Sequence, residues 1–139
     1  MRQGLREAGE GEEMNDNYCT PLQWYMKLDR EFHFNDDPCP VEGENGLDRD
    51  WGTSTFVNPP YSKPYPWVKK AYDESLRGKT IVMLLKCDTS TKWFHEYALP
   101  HAEIRYIKGR IRFGKYRAPF PSVIIIFHAT EKERTNDRA

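Results

Sequence analysis

The chain has 139 residues, 38% hydrophobic, 14% aromatic and 30% charged, which is enough to bury one core and too short for a second full domain. Its 21 Lys and Arg balance 21 Asp and Glu, so no overall field marks a polyanionic or cationic partner, and any charged surface must be local. No apolar run, residues 123–127 included, approaches the ~20 residues a membrane span needs. Residues 1–13 lack the apolar stretch of a secretory leader, and a cytoplasmic chain is expected. Cys19, Cys39 and Cys87 form no C-x-x-C pair and are expected as reduced thiols. A metal held by Cys19, His33 and Cys39 would lack a fourth ligand, so no metal site is expected.

Residues 1–16 carry five acids, three glycines and almost nothing apolar, and residues 131–139 are similarly polar. Both read as loose tails around one domain over 17–130. Thr20 is placed to cap and Pro21 to open a helix over 21–31, with Leu22, Tyr25, Met26 and Leu28 recurring at helical spacing. Phe32 and Phe34 alternate, predicting a short strand over 31–37 that ends in the turn DDPCP. Residues 41–54, with Gly43, Gly46, Gly52 and one large anchor, Trp51, read as a loop that connects rather than packs.

A β-prone run at residues 55–57 stops at Asn58, because Pro59 and Pro60 supply no ladder donor. A helix over 66–76, closed by Arg77-Gly78-Lys79, precedes the unbroken apolar run 80–85, a buried and parallel strand. A helix over 90–99 and a strand over 102–108 follow. After a turn at Gly109, residues 111–116 are expected as a hairpin arm facing 122–129. The alternation of strand and helix gives an α/β fold.

The sharpest feature is Asn58-Pro59-Pro60-Tyr61, which the pattern places at the carboxyl end of a strand, where open α/β sheets bind ligands. A proline-rich turn capped by Asn58 is the plain reading. The chemical one is that the Asn58 side-chain carbonyl and the Pro59 main-chain carbonyl accept both hydrogens of an exocyclic base amine. That draws the nitrogen toward sp³ geometry and frees a lone pair otherwise delocalised into the ring. No general base is required, the prolines hold the acceptors in place, and Tyr61 offers a ring for stacking on an extruded base.

Over residues 18–128 the chain resembles the phage-type DNA N-6-adenine methyltransferases, the Dam family of phages and prophages. The resemblance rests on ordered blocks: TPLQWYMKLDREFHF, DPC, GLDRDW, FVNPPYSKPYPWVKKA, IVMLLKCDTSTKWFHEY, IKGRIRFG and APFPSVIIIF. It implies a reduced class I, Rossmann-like methyltransferase fold with a C-terminal β-hairpin. The implied reaction is methyl transfer from S-adenosylmethionine to the amine of a flipped adenine in DNA. Asn58, Pro59, Pro60 and Tyr61 match the family's catalytic motif. Thr20-Pro21 matches its cofactor-side entry motif and Asp37-Pro38 the remnant of its first cofactor motif, with Asn58 shared by both sites. Where class I methyltransferases carry a Gly-rich loop, this chain has Asp37-Pro38-Cys39-Pro40, and the short spacing from Asp37 to Asn58 leaves no room for the usual second and third βα units. Asp37 is a candidate acceptor for the cofactor's amine or ribose hydroxyls, or a turn-capping residue; Asp36 competes for the same role.

Two further segments carry candidates. Residues 86–94 follow the buried strand onto the same edge as Asn58, with Thr89 to Thr91 as helix caps or substrate contacts and Trp93 and Phe94 as core or pocket wall. From Arg105 to Arg117 there are six basic residues and no acid. Lys108, Arg110, Arg112 and Lys115 in this ribbon, with Lys63 beside the Asn58 motif, are candidate DNA-phosphate contacts; a solvated strand face is the alternative, and Lys69 and Lys70 would extend the patch. Cytosine N(4) methylation uses the same amine logic, and a non-catalytic DNA- or cofactor-binding remnant of the fold is the reading from a different class.

Overall fold

The computed structural model describes residues 20–39, 46–113 and 115–130. The tails expected over 1–16 and 131–139, and Cys19, lie outside the described residues. The first helix, α1, spans Leu22–Phe32 and buries Tyr25 and Leu28. It ends where His33 adopts a left-handed conformation, φ 53°, and donates its backbone N–H to the Asp29 carbonyl. The strand expected over 31–37 is therefore mostly absent: residues 31 and 32 complete α1, and only Asp36 bridges Thr55, in parallel. A single alternating Phe pair did not distinguish the end of a helix from a strand.

Residues 46–54, expected only to connect, pack. A 3₁₀ turn at Gly46–Asp48 leads to Trp51, which is 3% exposed and donates its indole N–H to the Gly46 carbonyl at 2.8 Å. Gly46 lies so close to residue 38 that an added Cβ would sit 1.9 Å from the Pro38 carbonyl oxygen, so glycine is required there. The spacing reads as flexibility in the sequence because nothing local announces this contact.

Strand β1, Ser54–Val57, leads into the Asn58 motif and helix α2, Tyr65–Ser75. Gly78, φ 89°, turns the chain into β2, Thr80–Lys86. A π-helical turn, Phe94–Ala98, then continues as α3, Leu99–His101, later and less regular than the helix expected over 90–99. Strand β3, Glu103–Tyr106, is shorter than expected. Strands β4, Arg112–Phe113, and β5, Tyr116–Arg117, pair with each other, and β6 spans Ser122–Phe127.

The main sheet has the order β1-β2-β6-β3. β2 is parallel to β1 and antiparallel to β6, with Leu84 opposite Ile124, and β3 is antiparallel to β6. The expected facing of residues 111–116 against 122–129 does not form. β6, buried at every position, belongs in the centre of the sheet, and the hairpin closes on itself. An apolar run without polar alternation suits a strand covered on both faces better than one arm of an exposed hairpin.

The sheet is covered on both faces. Phe56, Val82, Leu84, Ile124 and Ile126 face α1, with Ile111 and Ala118 from around the hairpin. Val57, Ile81, Met83, Leu85 and Ile125 face α2, Trp51, Trp93 and Phe94. The carboxyl ends of β1 and β2, the segment after Asp36 and the start of α1 consequently meet at one edge.

Candidate active site

Asn58 follows β1 directly and is 2% exposed. Two residues beyond Phe56, it falls on the α1 face, and its Nδ2 donates to Thr20 Oγ1 at 2.9 Å. That bond identifies the donor end of the amide and makes Oδ1 its acceptor end. Thr20, fully buried, thus ties the two motifs together across 38 residues; it does not cap α1, whose N-cap is Pro21, with no side-chain hydrogen bond. Pro59 is buried and Pro60 half-buried, and the turn after them closes with the Lys63 N–H donating to the Pro60 carbonyl at 3.2 Å.

Tyr61 packs edge-on to Phe120, ring centroids 5.2 Å apart. Phe120, which the sequence does not single out, also lies under the Lys86 ammonium, 5.5 Å from the ring centroid. Beside this group a cleft of about 230 Å³ opens around the end of β2, lined by Tyr61, Ser62, Leu85, Lys86, Asp88 and Trp93 among others.

Asp36 and Asp37, equivalent in the sequence, separate here. The Asp36 carboxylate accepts a bidentate pair from Arg49, at 2.8 and 2.9 Å, and the backbone N–H groups of Gly52 and Asp37. Burial opposes its charge, but these donors outweigh burial and hold its pKa below the ordinary carboxylate value. Asp36 is a fastener, leaving Asp37 as the candidate ligand. Both Asp37 carboxylate oxygens are enclosed, and Pro38 next to it is buried. The Asp37 charge reaches Tyr25 on α1, whose phenol is raised above its ordinary pKa first by burial and then by Asp29 and Asp37. Asp37, Thr20 and Asn58, a carboxylate, a hydroxyl and an amide on neighbouring segments of one edge, suit a ligand that carries an ammonium group and hydroxyls.

The loop after β2 is organised by Asp88, whose Oδ1 accepts from the Ser90 N–H and hydroxyl at 3.2 and 2.8 Å. These bonds hold its carboxyl below the usual range. The Thr91 hydroxyl donates to the Asp88 carbonyl at 2.8 Å, and His95 Nε2 donates to the Thr89 carbonyl at 2.7 Å, so this stretch closes a turn. Trp93 and Phe94, both 3% exposed, belong to the core.

Lys63, Lys108, Arg110, Arg112, Lys115 and Arg117 are exposed. Arg105, at the head of the basic ribbon, is not part of that surface: it grips both Glu31 oxygens at 2.8 Å and Glu103 at 2.7 Å. Lys69 and Lys70 are engaged as well, by Asp73 at 3.4 Å and by Glu74 at 3.1 Å. Neighbouring acids on α1, β3 and α2, invisible to a count of consecutive charges, neutralise these three.

A model of the DNA N-6-adenine-methyltransferase (Dam) family matches residues 9–138. The DNA N-6-adenine-methyltransferase of Haemophilus phage HP1 (strain HP1c1) is 39% identical over 114 residues, covering 70% of this chain and 66% of that protein. The DNA N-6-adenine-methyltransferase of Escherichia phage T1 is 46% identical over 67 residues, covering 47% of this chain and 28% of that protein. The chain therefore spans just under two thirds of one of these relatives and a much smaller part of the other. No solved structure matches the chain. With nearly its whole length under the family model and its Asn58 and Thr20 motifs joined by a hydrogen bond, the chain belongs to the DNA N-6-adenine-methyltransferase (Dam) family.

Proposed function

We propose that this chain methylates the exocyclic amine of adenine in DNA, with S-adenosylmethionine as methyl donor, on a reduced Rossmann-like methyltransferase fold. The observation that carries the reading is the Asn58–Thr20 bond: it pins the motif's amide at the carboxyl edge of the sheet with the acceptor end defined. Asn58 Oδ1 and the Pro59 carbonyl accept the two amine hydrogens of a base turned out of its stack, which localises the nitrogen lone pair. Pro59 and Pro60 fix the backbone that presents the second acceptor, so little reorganisation is needed as charge develops. Tyr61 stacks on the ring. Asp37 and Thr20 hold the donor's amine and hydroxyls. S-adenosylmethionine, when bound, supplies a methyl group on a positively charged sulfur that departs as a neutral thioether. The exposed cations from Lys108 to Lys115, with Lys63, hold the DNA backbone.

The test incubates the purified chain with S-adenosylmethionine and duplex DNA and identifies the modified nucleoside after digestion. N6-methyladenine is the expected product, and Asn58→Ala lowers its rate by about 10²-fold or more while donor binding persists. Methylcytosine as the product, no methylated base, or near-normal turnover by Asn58→Ala overturns the reading.

A further inference from the structure

The cleft at the end of β2 contains a cation that the proposed chemistry leaves without a role. Lys86 closes β2 and is exposed. Among the described residues its ammonium makes no ion pair; it lies over the face of Phe120 and within the longer-range field of Asp88. Its direction follows from the register. Phe56 pairs with Val82, and both face α1, so Asn58 and Lys86, at even steps beyond them, project from the same face. By that register Lys86 lies two residues further along the edge than the level of Asn58, roughly 7 Å at the rise of a strand. The lining around it is two-natured: Tyr61, Leu85 and Trp93 give apolar surface, while Lys86 and Asp88 add one strong donor and one ionised acceptor. A flat heteroaromatic ring with acceptor nitrogens matches such a lining better than a phosphate, which the Asp88 carboxylate would repel.

We infer that Lys86 is a specificity-determining residue of this site, its ammonium donating a hydrogen bond to a ring nitrogen of the same base whose amine is held by Asn58 and Pro59. This rests on the function proposed above. A purine offers acceptor nitrogens on both sides of its amine and on its far edge, whereas cytosine has a C–H on one side. A donor fixed in the sheet therefore helps decide which base is productive. Asp88, tied down by Ser90, stays an acceptor at the rim of the cleft.

The experiment first maps the methylated adenine in plasmid DNA treated with the wild-type chain. Duplexes carrying that site are then made with 1-deaza-, 3-deaza- or 7-deazaadenine at the target, and each is assayed with wild type, Lys86→Met and Lys86→Arg. Lys86→Met is expected to lower kcat/KM about ten- to hundredfold on adenine, as removing a hydrogen bond from a charged donor does. One deaza substrate should lose a similar factor with wild type and lose nothing further with Lys86→Met, and Lys86→Arg should restore part of the activity. Because Lys86 is exposed, donor affinity and thermal midpoint should not change, which separates this role from a structural one. If all three deaza losses multiply with the Lys86→Met loss, no ring nitrogen is contacted and the inference falls. A loss that instead tracks ionic strength equally on all substrates makes Lys86 a phosphate contact and overturns it too. Absence of methyladenine in the mapping step overturns the proposed function itself, a distinct outcome.

Discussion

The Asn58 amide has its donor end engaged by Thr20, and the consequence is chemical as well as structural. In the proposed reaction, a side-chain amide able to flip would also present its NH₂ to the base amine, a repulsive pairing of two donors. Thr20 removes that alternative. Thr20→Val deletes the acceptor while keeping the shape, leaves a buried amide N–H without its partner, and should lower the methylation rate about tenfold. Thr20→Ser, which retains the hydroxyl, should stay near wild type; equal damage by both substitutions would show that the methyl group, not the hydrogen bond, matters. The sequence displayed both motifs but not their contact, because 38 residues separate Thr20 from Asn58 and no local rule joins them. It likewise could not choose between Asp36 and Asp37. The choice is made by Arg49, thirteen residues away, which takes the Asp36 carboxylate and leaves Asp37 as the candidate ligand.

At the scale of elements, the strands that end in candidate site residues were readable because their composition and their terminators agree: β1 stops at prolines and β2 is an unbroken apolar run. What escaped was partner choice. β6 has the same apolar signature whether it pairs with a hairpin or sits between β2 and β3, and only the competition to bury it on both faces decides. The loop before β1 hid a second device, a buried ionic hub that fastens α2 to the loop leading into the site. Glu74 on α2 is 1% exposed and accepts from Lys79 at 2.7 Å and Lys70 at 3.1 Å. Lys79 also donates to the Trp51 carbonyl at 2.6 Å. Burial pushes the Glu74 pKa up, but the two lysine hydrogen bonds outweigh it and the folded value lies below the ordinary 4.5. A depressed folded pKa means that the carboxylate stabilises the fold above its unfolded value and that this contribution is lost as the pH falls through the folded one. Glu74→Gln should therefore cost about 2 kcal/mol at pH 7. The gap between variant and wild type in denaturant melts should close as the pH is lowered below about 4.5. A gap that stays constant from pH 7 to pH 3 would mean that the ionised form contributes nothing.

Across the whole molecule, net charge is zero, yet holding the proposed DNA substrate requires bringing positive charge to a polyanion. The fold does this by segregation. Arg105, Lys69, Lys70 and Lys79 are paired with acids on α1, β3 and α2, whereas the hairpin of β4 and β5 carries its cations outward. Within that hairpin Arg112 lies directly opposite Arg117. Like charges placed across a strand pair are mutually destabilising, and a phosphate backbone lying over them would offset the repulsion. The hairpin is joined to the site through its base, where Ile111 and Ala118 are buried against the α1 face and Phe120 meets Tyr61. Each phosphate neutralised releases condensed counterions, so Arg110→Ala with Arg112→Ala should flatten the slope of log affinity against log salt by about one unit per lost contact. Affinity for random duplex should fall at low salt while the preferred site stays the same, because phosphate contacts position the protein without reading sequence. Adding Arg105→Ala should leave the slope where it is, since that guanidinium is already held by Glu31 and Glu103. If the double variant binds random duplex with the slope and affinity of wild type, the hairpin is only a solvated face, and the DNA backbone is gripped elsewhere on the carboxyl edge, with Lys63 the first cation to replace.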